Sequence, residues 1–476
     1  MLIKKEPSII QSYLEDSSNL PGGHAEGVII PRDEGEMSAA LKEANSKKIP
    51  VTISGGGTGQ AGGRIPFGGM VLSTEKLSAI KEIKKNGASG WARVEAAVTV
   101  DCLKAACLEK GLFYTYDPTE GTAFLGGTIA TNASGARSFR YGPTRKCVKN
   151  LKVILADGTA LSLKRGDVKA RKRLLEFETN GRPYRLNLPS YKMPHTKSSA
   201  GYYAEDDMDI IDLFIGQEGT LGVITEAELE LVEKPKGFFS CFTFFPSGPK
   251  AWDFARCARG LGPLSIEYFD NNSLNLLGKK YPNVPQSAEA AIFFEEEITR
   301  GEDEVLEKWE AFLERQGVSM DNTWVATNPS MQRQFLEKRH FIPERMSEMA
   351  RQSGFPKVST DLAVPEEKLL TMVLFYKSCL EESGLHYFVF GHIGDAHLHV
   401  NMLPTDAKSY EKAKKLQLEF VKKSVMLGGT VSAEHGVGKT KKEFLRLLYG
   451  EKGIREMFEI KKALDPNLIL GKGNIF

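Results

Sequence analysis

Cysteine is sparse and unpatterned in this chain. Its six copies, Cys102, Cys107, Cys147, Cys241, Cys257 and Cys379, show no C-x-x-C spacing. That leaves no ligand set for an iron–sulfur cluster or a zinc ribbon, and it points to a reducing compartment. Long apolar runs are missing too. The densest, residues 238–245, is far shorter than the ~20 residues that a membrane-crossing helix needs, and reads as a core strand. The N-terminal MLIKKEPSII lacks the apolar stretch of a signal peptide. No excess of one charge exists either: 63 Lys/Arg against 61 Asp/Glu give a net charge of +2, which makes no case for nucleic acid. Histidine is scarce, with eight copies and none between His24 and His195. What remains, 41% apolar and 26% charged in 476 residues, is the composition of a soluble globular chain of two or three domains. A cytoplasmic location is expected.

The first third alternates strand and helix signals, the texture of an α/β region. Strands are expected at 28–30, 51–54 and 94–98. Asp33-x-x-Glu36 reads as a capping box, after which Met37, Leu41 and Ala44 fall at helical spacing. Asp101 reads as the N-cap of a further helix that stops at Gly111. Near Pro235-Lys236-Gly237 the texture changes to helices mixed with isolated strands. A helical tail begins near Lys439. The expected division is 1–236, 237–438 and 439–476. Residues 164–197 carry ten Lys/Arg against three Asp/Glu. Such a stretch is either a solvated insertion or a docking surface for an acidic partner or membrane.

Residues 54–63 hold six glycines in ten positions. Gly57-x-Gly59-x-x-Gly62 satisfies a dinucleotide fingerprint after a strand, but Arg64-Ile65-Pro66-Phe67-Gly68-Gly69 follows where that fingerprint demands a helix. NAD binding at this loop is therefore rejected. Consecutive glycines can still wrap backbone N–H groups around a pyrophosphate, because they accept positive φ and close approach. Two more stretches rich in glycine and hydroxyls follow, around residues 118–135 and 215–224. Both suit backbone contact with a large flat ligand bearing phosphates.

Four of the eight histidines, His392, His397, His399 and His435, fall within 44 residues. Gly394-Asp395 reads as a turn. From His397 the pattern alternates, with His397, His399 and Asn401 on one strand face and Leu398, Val400 and Met402 on the other. Glu434-His435 lies in a glycine-rich bend. A lone histidine is more often structural than ligating, but two imidazoles and a carboxylate form a common ligand set for zinc or manganese with positions left open.

In this order, the glycine segments resemble the FAD-binding domain of the vanillyl-alcohol oxidase / p-cresol methylhydroxylase superfamily. The resemblance sharpens in the branch of D-lactate dehydrogenases, D-2-hydroxyglutarate dehydrogenases and the glycolate oxidase FAD subunit, and it covers nearly the whole chain. It implies an α+β architecture, with a two-part FAD-binding domain and an α+β cap domain built on an antiparallel sheet. Gly55, Gly57, Thr58 and Gly59 match the family's pyrophosphate loop. Pro118, Gly126, Thr128, Ala130, Asn132 and Gly135 match its second flavin segment, and Glu218, Gly219 and Ile224 its third. His392, His399 and Glu434 match its metal ligands, His435 its active-site base, Arg339 its carboxylate-binding arginine and Lys357 a second substrate contact. Arg339 lies on a helix expected to end before Pro343. Two departures stand out: His397 where an Asn is usual, and Gly471-Lys472-Gly473-Asn474 in place of an Asn-Pro-Gly-Lys-like tail.

Covalent flavin in the superfamily hangs on His or Cys side chains, which the glycine-rich segments lack, so FAD is expected to be non-covalent. The implied reaction is oxidation of a D-2-hydroxy acid, D-lactate first and glycolate or D-2-hydroxyglutarate next. The metal lowers the hydroxyl pKa, His435 takes the proton, Arg339 fixes the acid, and hydride passes to flavin. The implied partners are the small acid and an electron acceptor: an electron-transfer flavoprotein, an iron–sulfur subunit or a quinone. Through that acceptor the chain could lie against the inner face of the membrane, and a homodimer fits equally. The rival readings are an alkylglycerone-phosphate-synthase-like flavoenzyme and a flavin-binding electron-transfer subunit without its own substrate.

Overall fold

Three short strands rich in Val, Ile and Leu, Gly27–Ile30, Met70–Ser73 and Val51–Ser54, run parallel in one sheet, with Leu2–Lys4 antiparallel on its edge. The computed structural model that shows this describes residues 1–476 apart from 119, 300 and 327, so Thr119 of the second polar stretch lies outside the described residues. Helix Glu34–Lys47 buries Met37, Ala40, Leu41 and Ala44. Its cap is half of the expected box. The Asp33 side chain accepts from the Glu36 N–H, but the Glu36 carboxylate turns away to accept from the Arg32 N–H. The next helix, Val100–Glu109, is capped by Thr99 and not by Asp101, because only the Thr99 hydroxyl reaches the Cys102 N–H. Between Val51–Ser54 and Met70–Ser73 no residue is helical, so the glycine loop lacks the helix of a Rossmann unit.

Parallel pairing ends with this first sheet. The second, six-stranded sheet has the order Ile80–Asn86, Ser89–Glu95, Val223–Glu233, Val148–Ile154, Ala160–Lys164, with Leu112–Phe113 also on Val223–Glu233, and every pair is antiparallel. The strand expected at 94–98 is thus Ser89–Glu95. The third sheet, also antiparallel, runs Thr323–Ala326, Gly237–Phe245, Ala290–Ile298, Ser265–Asp270, His386–Gly391, His397–Leu403, Val358–Ser359, with Leu362–Ala363 pairing His397–Leu403. The change of texture at Pro235-Lys236-Gly237 falls between two strands of different sheets. The apolar core does not break there. One cluster of buried residues includes Val94, Leu231, Phe239, Val400 and Met457. A second, rich in phenylalanine, packs Phe335, Ile342 and Met346 of helix Pro329–Ser353 on Phe242, Phe269, Phe293 and Phe388. Burial of each such side chain stabilises the fold by about 1.5–3 kcal/mol.

That helix passes through Pro343 instead of ending before it, which leaves the Arg339 carbonyl without the N–H of residue 343. Packing of Ile342 and Met346 on both sides outweighs the lost bond. After helix Lys442–Leu464, residues 469–471 come back to the first sheet: the Val51 N–H donates to Ile469 (2.7 Å) and the Gly471 N–H to Val51 (2.9 Å). Residues 164–197 contain a hairpin, Leu174–Thr179 with Arg182–Asn187. Much of their charge is offset in space: Arg165 pairs with Asp212, Arg173 with Asp206, Arg182 with Asp157, and Arg171 and Arg185 with Glu176. Among the described residues no helix is long and apolar enough to cross a membrane.

Candidate functional site

All three glycine-rich segments open onto one cavity. Gly55, Gly57, Thr58 and Gly59 line it, with Pro118, Gly126, Thr128, Ala130 and Gly135 from the second segment and Glu218, Gly219 and Ile224 from the third. Asn132 is not on the wall; its side chain accepts from the Arg145 N–H and donates to the Ser198 carbonyl. The glycines serve two purposes. Gly57 (φ +80°) holds a left-handed conformation, whereas a Cβ on Gly135 would lie 2.4 Å from the Asp117 carbonyl oxygen. Gly59 has open space beside it, the nearest atom to its missing Cβ being 4.0 Å away. The Ser134 hydroxyl, on the same wall, is buried without a hydrogen-bond partner among the described residues. Polar backbone, small side chains and an orphaned hydroxyl suit a flavin dinucleotide.

The same wall also carries His392, Glu434 and His435. Strand pairing delivers them. Register Phe390↔His399 sets the two histidine-bearing strands side by side, and a 3-10 turn, Ile393–Asp395, with Ala396 at φ +51°, joins them. Gly391 leaves room for the His399 ring, whose Cδ2 would be 2.9 Å from a Cβ there. Both faces of strand His397–Leu403 are largely covered, so the expected split into a core face and a cleft face does not hold, and His397 is 0% exposed. One ligand atom each from His392, His397, His399 and Glu434 lies within 4.8 Å of all the others. His392 Nε2 is 3.4 Å and His399 Nε2 3.2 Å from the Glu434 carboxylate. His397 Nε2 lies 3.2 Å from Asp361 Oδ1 and Nδ1 3.9 Å from the Glu434 carboxylate, and among the described residues neither nitrogen has a partner with hydrogen-bond geometry.

A ring of charge surrounds this cluster. Glu267 Oε1 is 2.7 Å from His392 Nδ1, and its other oxygen is 3.3 Å from Arg339 Nε. Lys197, only 5% exposed along its side chain, pairs with Glu434 (3.1 Å) and Asp395 (3.2 Å). Asp361 accepts from the Glu434 and His435 N–H groups and the Ser432 hydroxyl, pairs with Lys441 at 2.7 Å and lies 3.4 Å from His435 Nδ1. Burial pushes the Glu434 and Asp361 carboxyls up, but Lys197, His392 and His397 at the first and Lys441, His435 and His397 at the second hold both well below the usual range. Burial likewise opposes charge on His392, yet Glu267 overcomes it and raises the imidazole to about 9. Burial pushes His435 down to about 4, so its imidazole stays neutral. The Glu218 carboxylate leaves the flavin side of the cavity and accepts from the Val437 (2.8 Å) and Gly438 (2.6 Å) N–H groups. It thereby ties the third glycine segment to the bend that carries Glu434 and His435.

The structure therefore brings His392, His399, Glu434 and His435 together and adds His397. Arg339 and Lys357 do not line the cavity. Lys197, Glu267, Asp361, Lys441 and Tyr116 were missed from sequence. Glu267 carried a signal, being a single charge inside the apolar run Leu264-Ser265-Ile266-Glu267-Tyr268-Phe269, where an unpaired acid is costly. Asn474 of the departing tail donates to the Gly63 and Glu218 carbonyls, joining the first and third glycine segments.

Comparison with known proteins bears on this arrangement. Residues 25–164 match a family model described as FAD binding domain, and residues 235–475 one described as FAD linked oxidases, C-terminal domain. A D-lactate dehydrogenase of Archaeoglobus fulgidus is 30% identical, over 94% of this chain and 90% of that protein. A D-2-hydroxyglutarate dehydrogenase of Xanthomonas citri pv. viticola is 28% identical, over 100% and 94%. The glycolate oxidase subunit GlcD of Bacillus subtilis is 29% identical, over 95% and 89%. A solved alkyldihydroxyacetonephosphate synthase shares the fold with a TM-score of 0.69 at 15% identity, covering 98% of this chain and 81% of that one.

Proposed function

The chain belongs to the FAD-linked oxidases, a family of flavin-dependent oxidoreductases, and from that premise we propose that it oxidises a small D-2-hydroxy acid to the 2-oxo acid. D-lactate is the first choice, with glycolate or D-2-hydroxyglutarate next. The observation that carries this reading is the shared wall: the glycine segments and the His392–Glu434–His435 group line one cavity. Residues 1–236 with 439–476 hold the flavin, and 237–438 carry the substrate and metal site.

Bound flavin would supply the hydride acceptor, and a divalent ion such as zinc or manganese on His392, His399 and Glu434 would supply a Lewis acid toward the substrate hydroxyl. His397 offers a fourth nitrogen, Nδ1, which has no hydrogen-bond partner among the described residues, while its Nε2 lies 3.2 Å from Asp361. His435 takes the hydroxyl proton, and its burial keeps the lone pair free near neutral pH. Asp361, 3.4 Å from Nδ1, braces the ring on the cavity wall, where Nε2 lies 3.5 Å from Glu434 Oε1. Arg339 acts through Glu267, which it keeps against His392 Nδ1 and so fixes that ring's orientation. Lys357, whose pKa burial lowers, stands off the cavity wall, and no substrate contact is assigned to it. An external acceptor, whether electron-transfer flavoprotein, iron–sulfur subunit or quinone, takes the electrons onward.

Anaerobic mixing of the oxidised holoenzyme with D-lactate, L-lactate, glycolate and D-2-hydroxyglutarate tests the reading: at least one 2-hydroxy acid should bleach the flavin, and a flavin that stays yellow with all of them overturns it. Acid precipitation should leave the flavin in the supernatant; a yellow pellet would mean a covalent link.

A further inference from the structure

We propose that Tyr116 contacts the substrate directly, its phenol donating a hydrogen bond to the carboxylate of the bound 2-hydroxy acid while its ring limits the length of that acid's side chain. The inference rests on the hydroxy-acid reading above and adds a specificity residue to it.

Tyr116 precedes Asp117-Pro118, at the start of the second flavin segment, and lines the same cavity as His392, Glu434 and His435. Its residue is only 7% exposed, and its ring meets that of Tyr114 edge-on at 6.3 Å. The hydroxyl is left over from this packing. Among the described residues no group hydrogen-bonds to it, and it is not sealed in, unlike the Tyr114 hydroxyl, which is both buried and unpartnered. A phenol held in a protein wall normally finds a partner, so an O–H facing a cavity without one is matched by an acceptor inside that cavity. Burial, and after it the Glu434 carboxylate, push the phenol well above its ordinary pKa, so it remains a donor throughout the working range.

Of the charges that act on the phenol, Glu434 weighs most, ahead of its own chain neighbour Asp117, which sets Tyr116 beside the carboxylate-and-histidine part of the wall and makes its acceptor an acid and not the flavin phosphates. There His435 is placed to take the substrate hydroxyl proton, and a 2-hydroxy acid carries its carboxylate on the adjacent carbon. The ring supplies the second half of the proposal. Phe would satisfy the packing against Tyr114 equally well; a bulky ring here occupies volume that a longer side chain on the acid would need.

The experiment uses the FAD-loaded protein. Tyr116→Phe keeps the ring and removes only the O–H. It should retain stoichiometric FAD, raise KM for the best substrate by about ten- to hundredfold, and change kcat far less. Binding of oxalate, an unreactive dicarboxylate read as a perturbation of the flavin spectrum, should weaken by a similar factor. Tyr116→Ala should raise kcat/KM for 2-hydroxyhexanoate relative to D-lactate by about tenfold or more, from the methylenes it now admits. Unchanged KM and oxalate affinity in Tyr116→Phe overturn the proposal, and so does loss of FAD from that variant, which would make the phenol a flavin contact. Normal flavin reduction in the wild type with Tyr116→Phe indistinguishable from it removes Tyr116 alone. A wild-type flavin that no 2-hydroxy acid reduces removes the functional reading with it.

Discussion

Where the cavity meets the glycine-rich segments its wall is mainly backbone and small side chains, with Gly57 and Gly219 at positive φ; where it meets Glu434 the wall is ionisable, and nearly every charge is matched across the fold. The first region excludes side chains so that a ligand can approach the chain itself. The second depends on side chains that segments far apart in sequence must deliver together. One therefore fails by gaining atoms and the other by losing them.

Gly57→Val should have the largest effect. The position holds φ +80°, and a Cβ would stand 2.2 Å from the Arg64 guanidinium, so a β-branched residue distorts the loop. The purified variant should carry no FAD; stoichiometric flavin in it would remove the loop from the cofactor site. At Gly59 the same substitution would act by filling open space instead of straining φ.

His392→Ala breaks the other region. It should remain a folded yellow protein without bound metal, with turnover reduced at least about a thousandfold, the several kcal/mol that a Lewis acid and anchor supply. Metal analysis and steady-state rates check both halves. A wild type that turns over normally after exhaustive chelation, with no metal detectable, ends the metal reading. His435→Asn should cost somewhat less, about a hundredfold or more in the chemical step seen by rapid mixing, with metal and flavin retained. Normal flavin reduction in that variant would move the base elsewhere.

The smallest effect tests the strut between the regions. Burial raises the Glu218 carboxyl to about 7, so the folded chain holds this proton more tightly than the unfolded chain does. The group's stabilising contribution is full below about 4.5, its ordinary value, and is lost as pH rises through about 7. Glu218→Gln does not titrate. The wild-type advantage in Tm over this variant should therefore shrink by about 1–2 °C between about pH 5 and about pH 8. Calorimetry showing a difference that is flat or grows would place the titration on another group.

The same contrast explains what could be read from the sequence. The cradle was legible because its requirement is local: a run such as Gly55-Gly56-Gly57-Thr58-Gly59 announces a backbone that must stay bare. Asn132 misled, since a small polar residue inside such a run can equally well brace the chain behind the wall, as it does at Arg145. His397 and His399 were legible as alternating residues of a strand, but their surroundings were not. Glu267 reaches His392 only because Tyr268 pairs with Gly391, and Lys197 reaches Glu434 across 237 residues. No short pattern encodes a sheet register between distant strands. Pairing also overruled local chemistry at Asp101, where Thr99 won the cap, and in the first third, where parallel strands stop after Met70–Ser73.

The return of residues 469–475 to the first sheet sets a timetable for the chain as it is made. Val51 bonds to Ile469 and Gly471, and Asn474 clips Gly63 to Glu218, so the seat for the flavin lacks its final contacts until those residues have left the ribosome. At ~5–20 residues per second the strand at Val51 waits roughly 20–80 s for partners more than 400 positions downstream. Throughout that interval the glycine loop is made but not closed. The seat of the flavin in a nascent chain can thus close only after residues 469–474 have emerged and docked on Val51, Gly63 and Glu218.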